Sequence, residues 1–150
     1  MAIPGKYSVR LTVGSVVQTQ PLTVIEDPRI TKDGVTMADL REQFEHNMRV
    51  RDLVSQSNQL VARVKTAQKD ERLKDVVTQL ITSPIRYSQP ALQTHIIYLY
   101  SLTTATDQKI GQDAVERYTQ LRKKLEELAT QVNAVLGPLG AMAHERSLAE

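Results

Sequence analysis

The sequence predicts a mainly α-helical protein in which an N-terminal β-hairpin precedes an antiparallel bundle of three or four helices. Three observations support this fold class. Side chains near the N-terminus alternate between apolar and polar, which is typical of a half-buried strand. From residue 36 onwards apolar residues recur every three or four positions, as on the buried face of a helix. Breaks containing proline, glycine or acidic residues divide this second pattern into helices joined by short connections.

The β-hairpin is predicted over residues 5–25. A Gly-Ser pair marks its turn, and the chain can return as a strand over residues 16–19. Pro21 is expected to interrupt that strand before a further short β-like run over residues 22–25. The first strand has one apolar face, formed by Tyr7, Val9, Leu11 and Val13. A single hairpin is marginally stable in water, so this face needs cover from the helices or from strands elsewhere.

The changes in residue pattern divide the chain into four segments. The hairpin segment occupies residues 1–26, and a linker rich in turn-forming residues occupies 27–35. The helical bundle is predicted over residues 36–137, and a loose tail is expected over 138–150.

The first helix of the bundle is predicted to be long. Thr36 is a suitable N-cap, and Asp39 three positions later completes a variant of the capping box. The helix runs to about residue 68, where a Lys-Asp pair allows a break before a short helix over residues 70–82. A single continuous helix is the alternative, because neither proline nor glycine separates the two.

Two more helices follow a break at residues 83–90, which contains two prolines. One helix runs from Pro90 to about residue 105, and a loop over 106–111 leads to the last helix. That helix is predicted to end at Gly137, since glycine followed by proline is a common stop signal. Its apolar stripe comprises Ala114, Tyr118, Leu121, Leu125, Leu128, Val132 and Val135.

Composition and charge exclude several classes of function. The 150 residues contain no cysteine, which excludes disulfide scaffolds, thiolate metal sites and thiol nucleophiles. Nineteen basic and 17 acidic residues give a net charge of +2 without a basic block, so no nucleic acid partner is expected. No stretch approaches the ~20 apolar residues of a membrane span, and the N-terminus lacks the apolar core of a signal peptide.

The titratable residues do not form a motif of catalysis or metal binding. The histidines are His46, His95 and His144, and no two of them have metal-ligand spacing. Asp107 and Asp113 flank a loop without the spacing of calcium ligands. Gly-rich phosphate loops and nucleophile elbows are also absent from the sequence. We therefore expect no enzymatic activity, no cofactor and no metal site.

A candidate polar interaction patch comprises Asn47, Arg51 and Asn58 on the first long helix, with Arg86 and Tyr87 in the break that follows. The three residues on the helix share a predicted inner stripe with apolar neighbours, and polar groups there need partners. One interpretation is that they hydrogen-bond to loop backbone, for example in the break before the third helix. The functional interpretation is a polar pocket for a partner peptide or a glycan.

Three segments of the chain carry a family resemblance. They are Pro4-Gly5-Lys6-Tyr7-Ser8-Val9-Arg10-Leu11-Thr12-Val13, then Gln20-Pro21-Leu22-Thr23-Val24 with Asp27-Pro28-Arg29, and finally Tyr98-Leu99-Tyr100 with Asp107-Gln108-Lys109 and Asp113-Ala114-Val115-Glu116-Arg117-Tyr118. In this order they resemble the C-terminal region of bacterial sortilin-like or Asp-box (BNR-type) β-propeller proteins, which are usually labelled glycosyl hydrolases. The resemblance covers most of residues 4–136.

The resemblance implies a hairpin that is the remnant of an immunoglobulin-like sandwich, and a secreted or periplasmic protein. Any hydrolase activity of that family would lie in the propeller, which is absent here, so no catalytic residue is carried over. The first hypothesis is a non-catalytic C-terminal structural or interaction module whose partner is the rest of the parent protein. The alternative is a small stand-alone bundle that binds a partner peptide or helix in its groove. A homodimer through residues 7–13 is a further expectation.

Overall fold

The computed structural model describes residues 2–138, and it confirms the predicted fold class of an N-terminal hairpin followed by a helical bundle. The predicted loose tail lies outside the described residues from position 139 onwards. In chain order the elements are β1 (Gly5–Val13), β2 (Val16–Val24), α1 (Pro28–Lys32), α2 (Met37–Thr66), a 3₁₀ turn (Glu71–Leu73), α3 (Lys74–Leu80), α4 (Leu92–Thr104) and α5 (Gln112–Leu136).

The hairpin is a regular antiparallel pair with a two-residue turn. Val13 pairs with Val16, and the pairing continues without a break to Gly5 and Val24. Gly14 adopts a φ of 58° in the turn, a conformation that glycine reaches without steric cost. Directly paired side chains point to the same side of an antiparallel sheet. One side of the hairpin therefore carries Tyr7, Val9, Leu11, Val13, Val16, Leu22 and Val24, together with two glutamines.

The predicted interruption of the second strand at Pro21 is wrong, because β2 runs through it. Pro21 lies opposite Ser8. In a two-residue hairpin the pair next to the turn is hydrogen-bonded, and the pairs then alternate between bonded and non-bonded. Counting back from the pair of Val13 and Val16 places Pro21 at a non-bonded position. Its missing N–H is therefore not needed between the strands.

The linker predicted over residues 27–35 contains one short helix, α1, which is a difference from the prediction. Asp27 caps it by accepting a hydrogen bond from the Arg29 backbone N–H at 2.9 Å. The Arg29 guanidinium also donates to this carboxylate, and these hydrogen bonds lower the pKa of Asp27 to about 2. Asp27 therefore stays ionised as a cap over the working pH range.

The predicted cap of α2 is present, and Asp70 forms a further cap after the helix. The capping box of α2 is confirmed, since Thr36 Oγ1 accepts from the Asp39 N–H and Asp39 accepts from the Thr36 N–H. α2 ends at Thr66, and Asp70 caps the 3₁₀ turn by accepting from the Arg72 N–H at 3.0 Å. The predicted break is thus confirmed, and the alternative of one continuous helix is wrong.

The core lies where α2, α4 and α5 pack on one another, with α3 closing one end against α4 and α5. The apolar stripe predicted for α5 is confirmed at its centre, where four side chains are buried: Leu121, Leu125, Leu128 and Val132. They meet the buried apolar side chains of α2, chiefly Val50, Leu53, Leu60, Val61 and Val64, and those of α4, which are Leu92, Ile96 and Leu99. Within residues 2–138, no helix combines the length and apolar character needed to cross a membrane.

Candidate functional site

The five residues of the predicted polar patch do not form one patch. Asn47 is buried on α2, but Arg51 and Asn58 are exposed beside the buried stripe. The predicted inner stripe is therefore wrong at these two positions. Phe44 is only half-buried, and the helix buries the polar Gln43 instead. Where a helix buries polar residues, a stripe predicted from apolar residues alone is rotated away from the face that is actually buried.

Each of the three patch residues on α2 has a different partner. The Asn47 side-chain amide donates to the Thr103 carbonyl at 3.0 Å, so its backbone partner lies at the end of α4 and not in the break over residues 83–90. Arg51 forms an ion pair with its neighbour Asp52 at 2.6 Å. Asn58 accepts a hydrogen bond from the Gln93 side chain at 2.8 Å.

Arg86 and Tyr87 lie in the loop between α3 and α4. The Arg86 guanidinium stacks over the Tyr87 ring, 4.8 Å from its centroid, as in a cation–π pair. Tyr87 has a φ of 65°, which is a strained conformation for a bulky side chain. Tyr87 is 85% exposed and its neighbour Ile85 is 74% exposed. The loop tip therefore presents two apolar side chains and one cation to solvent.

Gln43 forms a buried hydrogen-bond network that the sequence analysis missed. Its amide nitrogen donates to the carbonyls of Thr103 at 2.8 Å and Thr106 at 2.7 Å, and its amide oxygen accepts from the Gln108 N–H at 3.1 Å. The carbonyls at a helix C-terminus have no partner within the helix. Gln43 supplies one and so fixes the loop between α4 and α5 against α2. The sequence signal for the burial of Gln43 is its position three residues after the buried Leu40, on the same face of the helix.

His46 is fully buried beside this network. Its ring meets the Tyr118 ring edge-on, with centroids 6.0 Å apart. Neither imidazole nitrogen has a hydrogen-bond partner among the described residues. Burial lowers the pKa of His46, the charge of Arg49 lowers it further, and Glu42 acts in the opposite direction. A buried imidazole without partners is held neutral, because charging it would cost solvation energy.

The free energy of unfolding should fall as the pH is lowered from about 7 to 5. Below the ordinary histidine pKa of 6.5 the unfolded chain protonates His46, whereas the folded chain does so only at its lower pKa. Urea unfolding at several pH values measures the loss. The variant His46→Leu should lose this part of the pH dependence, and His95→Leu, at a partly exposed position, should retain it. An unchanged pH profile in His46→Leu would contradict the assignment.

The loop between α3 and α4, residues 82–91, forms one wall of an open groove of about 800 Å³ whose opposite wall is α5. We call this cavity the loop groove. The Thr82 hydroxyl accepts from the Ala91 N–H at 2.9 Å, and the Ser88 hydroxyl donates to the Ser83 carbonyl at 2.7 Å. The loop is thus held by its own hydroxyl groups. The charged side chains that line the groove are Arg117 and Lys124 of α5.

The apolar side of the hairpin is a second candidate surface. We call it the hairpin face and define it by Tyr7, Val9, Leu11, Val13, Val16, Leu22 and Val24. All except the half-buried Val24 are exposed, and Leu11 reaches 64%. The opposite side carries mainly polar residues, including Lys6 and Arg10. Contiguous apolar surfaces on soluble proteins often mark interaction sites.

The two edges of the hairpin differ in their capacity to accept another strand. In β2 the non-bonded positions direct their N–H and C=O groups outwards, and Pro21 occupies one of them without an N–H. This proline interrupts the outer edge of β2 near its middle. The outward positions of β1 contain no proline, so its edge keeps a full row of donors and acceptors.

Comparison with known proteins adds no relative: no family model, curated protein or solved structure matches this sequence. The resemblance to the sortilin-like propeller proteins therefore stays a prediction. Among residues 2–138, no three metal-ligating side chains lie close enough to hold an ion. The fold and its surfaces define a small helical-bundle protein. It has an uncovered β-hairpin and an open groove on its helical side.

Proposed function

We propose that the chain is a non-catalytic structural and interaction module, the C-terminal part of a secreted β-propeller protein, whose hairpin joins a β-sheet supplied by the rest of that protein. The single observation that carries this proposal is the hairpin face, which the helices of the chain leave uncovered. The resemblance of residues 4–13 and 20–29 to a sandwich segment agrees with it.

The free energy available at the hairpin face is large. Burying a Val or Leu side chain that was exposed is worth about 1.5–3 kcal/mol. The face carries seven apolar side chains, six of them exposed. Because its two strands are already paired along their full length, a partner sheet would cover it without first ordering the backbone. The polar opposite side would remain in solvent, as in many antiparallel sheets.

The partner surface that fits best is a β-sheet with one free strand and an apolar face. A strand of the partner would pair with the open edge of β1, and its neighbours would pack on the hairpin face. A second copy of the chain is a poorer fit. The hairpin is roughly 30 Å long and 10 Å wide, or about 300 Å² per copy, from the strand spacings. Stable interfaces between separate chains bury about 800 Å² per partner, whereas a sheet in the same chain is tethered to the hairpin and needs less contact area.

Amide hydrogen exchange tests this proposal directly. In a dilute sample shown to be monomeric, we expect the outward-facing β1 amides of Lys6, Ser8, Arg10 and Thr12 to exchange much faster than the core amides of α5. Fusing the chain behind the sandwich strands of a sortilin-like propeller protein should slow these β1 amides by at least about tenfold. Equal protection of β1 with and without the fused strands would contradict the proposal.

Substitutions on the two sides of β1 provide a matched control. The double variant Val9→Lys with Leu11→Lys places charges on the hairpin face, and it should abolish the slowing in the fusion. The double variant Ser8→Lys with Thr12→Lys adds the same charge on the polar side, and it should preserve the slowing. Neither variant should move the melting temperature of the bundle, because the four side chains are exposed.

A further inference from the structure

We infer that the loop groove binds a short acidic peptide segment that carries an apolar anchor residue. This surface lies on the helical side of the molecule, between residues 82–91 and α5, and involves none of the hairpin residues. The inference is therefore independent of the proposed role of the hairpin. It rests on the two cations that line the groove, on their spacing along α5, and on the apolar residues beside them.

The charge of the groove selects an acidic ligand. No Asp or Glu lines it among the described residues, and its charged lining consists of Arg117 and Lys124. The only hydrogen bond that the structure describes for the Arg117 side chain is a long one of 3.4 Å to Gln120. Most of its five N–H donors thus stay open to a carboxylate. Lys124 lies 3.7 Å from Glu127, an exposed pair of small energy that a ligand can replace.

The loop tip beside the groove carries a further cation, Arg86, which does not itself line the cavity. Arg86 lies between Pro84 and Ser88, which both line the cavity. Its guanidinium stacks on Tyr87, and the side chain forms no ion pair with a described residue. Stacking leaves the in-plane N–H groups of a guanidinium free to donate. The charge that a segment inside the groove meets is therefore that of Arg117 and Lys124, and Arg86 adds positive charge at the loop tip.

Apolar contacts give the ligand an anchor. Val77 and Ile81 are half-buried at the floor, above Leu92 and Leu121 of the core. A cavity of about 800 Å³ has room for an apolar side chain and the backbone around it. The Thr82 and Ser88 hydroxyls already form hydrogen bonds to the Ala91 N–H and the Ser83 carbonyl, so they are not counted as contacts to the ligand.

The distance between the two cations of α5 determines the distance expected between the acidic residues of the ligand. Arg117 and Lys124 are seven residues apart on one helix, which corresponds to about 10 Å along its axis. Two carboxylates about 10 Å apart on the same side of a peptide are found at positions i and i+3 of a polyproline II helix or i and i+7 of an α-helix. We therefore expect a ligand with an apolar residue between two acidic residues of this spacing.

Fluorescence anisotropy with two labelled synthetic peptides tests the inference. The first peptide carries Glu-Leu-Leu-Glu within an otherwise neutral 12-residue sequence, and the second replaces both Glu residues with Lys. We expect saturable binding of the Glu peptide only. The variant Arg117→Glu should weaken that binding by at least about tenfold, the effect of losing one charge-assisted contact. Arg122→Glu is the matched control, because Arg122 is exposed on the same helix outside the groove.

Three outcomes would overturn the inference: equal binding of both peptides, no saturable binding of the Glu peptide, or equal loss in Arg117→Glu and Arg122→Glu. Melting curves establish that each variant is folded, and Arg117→Gln replaces Arg117→Glu if the latter is not. The hairpin variants at Val9 and Leu11 should bind the Glu peptide normally. Loss of peptide binding in the groove and loss of sheet pairing by the hairpin can thus be observed separately.

Discussion

Replacing Leu125 with Ala is expected to lower the free energy of unfolding by about 2–5 kcal/mol, the usual cost of truncating a leucine in a well-packed core. Leu125 is only 3% exposed and lies at the centre of the buried stripe of α5, among the apolar side chains contributed by α2. A domain of this size is stable by about 5–15 kcal/mol in total. Urea unfolding followed by the helical circular dichroism signal measures the loss.

The variant Leu11→Ala is the matched control, because it removes the same atoms from an uncovered position. Leu11 is 64% exposed on the hairpin face, so the stability of the bundle should change by no more than about 0.5 kcal/mol. An unfolding midpoint that does not move in Leu125→Ala would show that the α5 stripe is not the core. A comparable loss in Leu11→Ala would show that the helices already cover the hairpin.

The second large effect is expected for Gln43→Leu. The substitution keeps much of the side-chain volume but leaves the Thr106 carbonyl and the Gln108 N–H without their partner and removes one of the two donors to the Thr103 carbonyl. Each group left without a partner costs about 1–3 kcal/mol, so we expect a total loss of about 2 kcal/mol or more. The Gln108 amide should also exchange faster with solvent, which distinguishes a loosened loop from a general loss of packing.

Gln59→Leu makes the same substitution at an exposed position of α2 and should be close to neutral. Asn47 also donates to the Thr103 carbonyl, so this one acceptor keeps a partner in Gln43→Leu. The loss should therefore increase further in the double variant Gln43→Leu with Asn47→Leu. If Gln43→Leu unfolds at the urea concentration of the parent protein, the network does not contribute to stability.

The elements with a regular pattern and a capping signal were predictable from the sequence. The α5 stripe, the capping box at Thr36 and the break before Asp70 are decided by residues close together in the chain. The phase of α2 was not predictable in the same way. Gln43 and His46 are polar, and their burial depends on Thr103 and Tyr118, more than 50 residues further along the chain.

The candidate surfaces were predictable only in part. The alternation of β1 identified the apolar side of the hairpin, although the sequence alone left open whether the helices cover it. Arg86 and Tyr87 were identified from their types, but the loop groove beside them was not. Arg117 faces it from a helix that begins at residue 112, so the groove exists only in the folded chain.

Pro21 has a consequence for what happens when many copies of the chain meet at high concentration. Fibrils grow only if each subunit offers two competent edges, one towards each neighbour in the stack. The hairpin offers only the edge of β1, because Pro21 interrupts the edge of β2. Two copies could join through β1, and the resulting pair would end in a proline-blocked strand on either side. Such a sheet would end after a single addition, so edge-to-edge pairing of folded hairpins does not extend into a fibril.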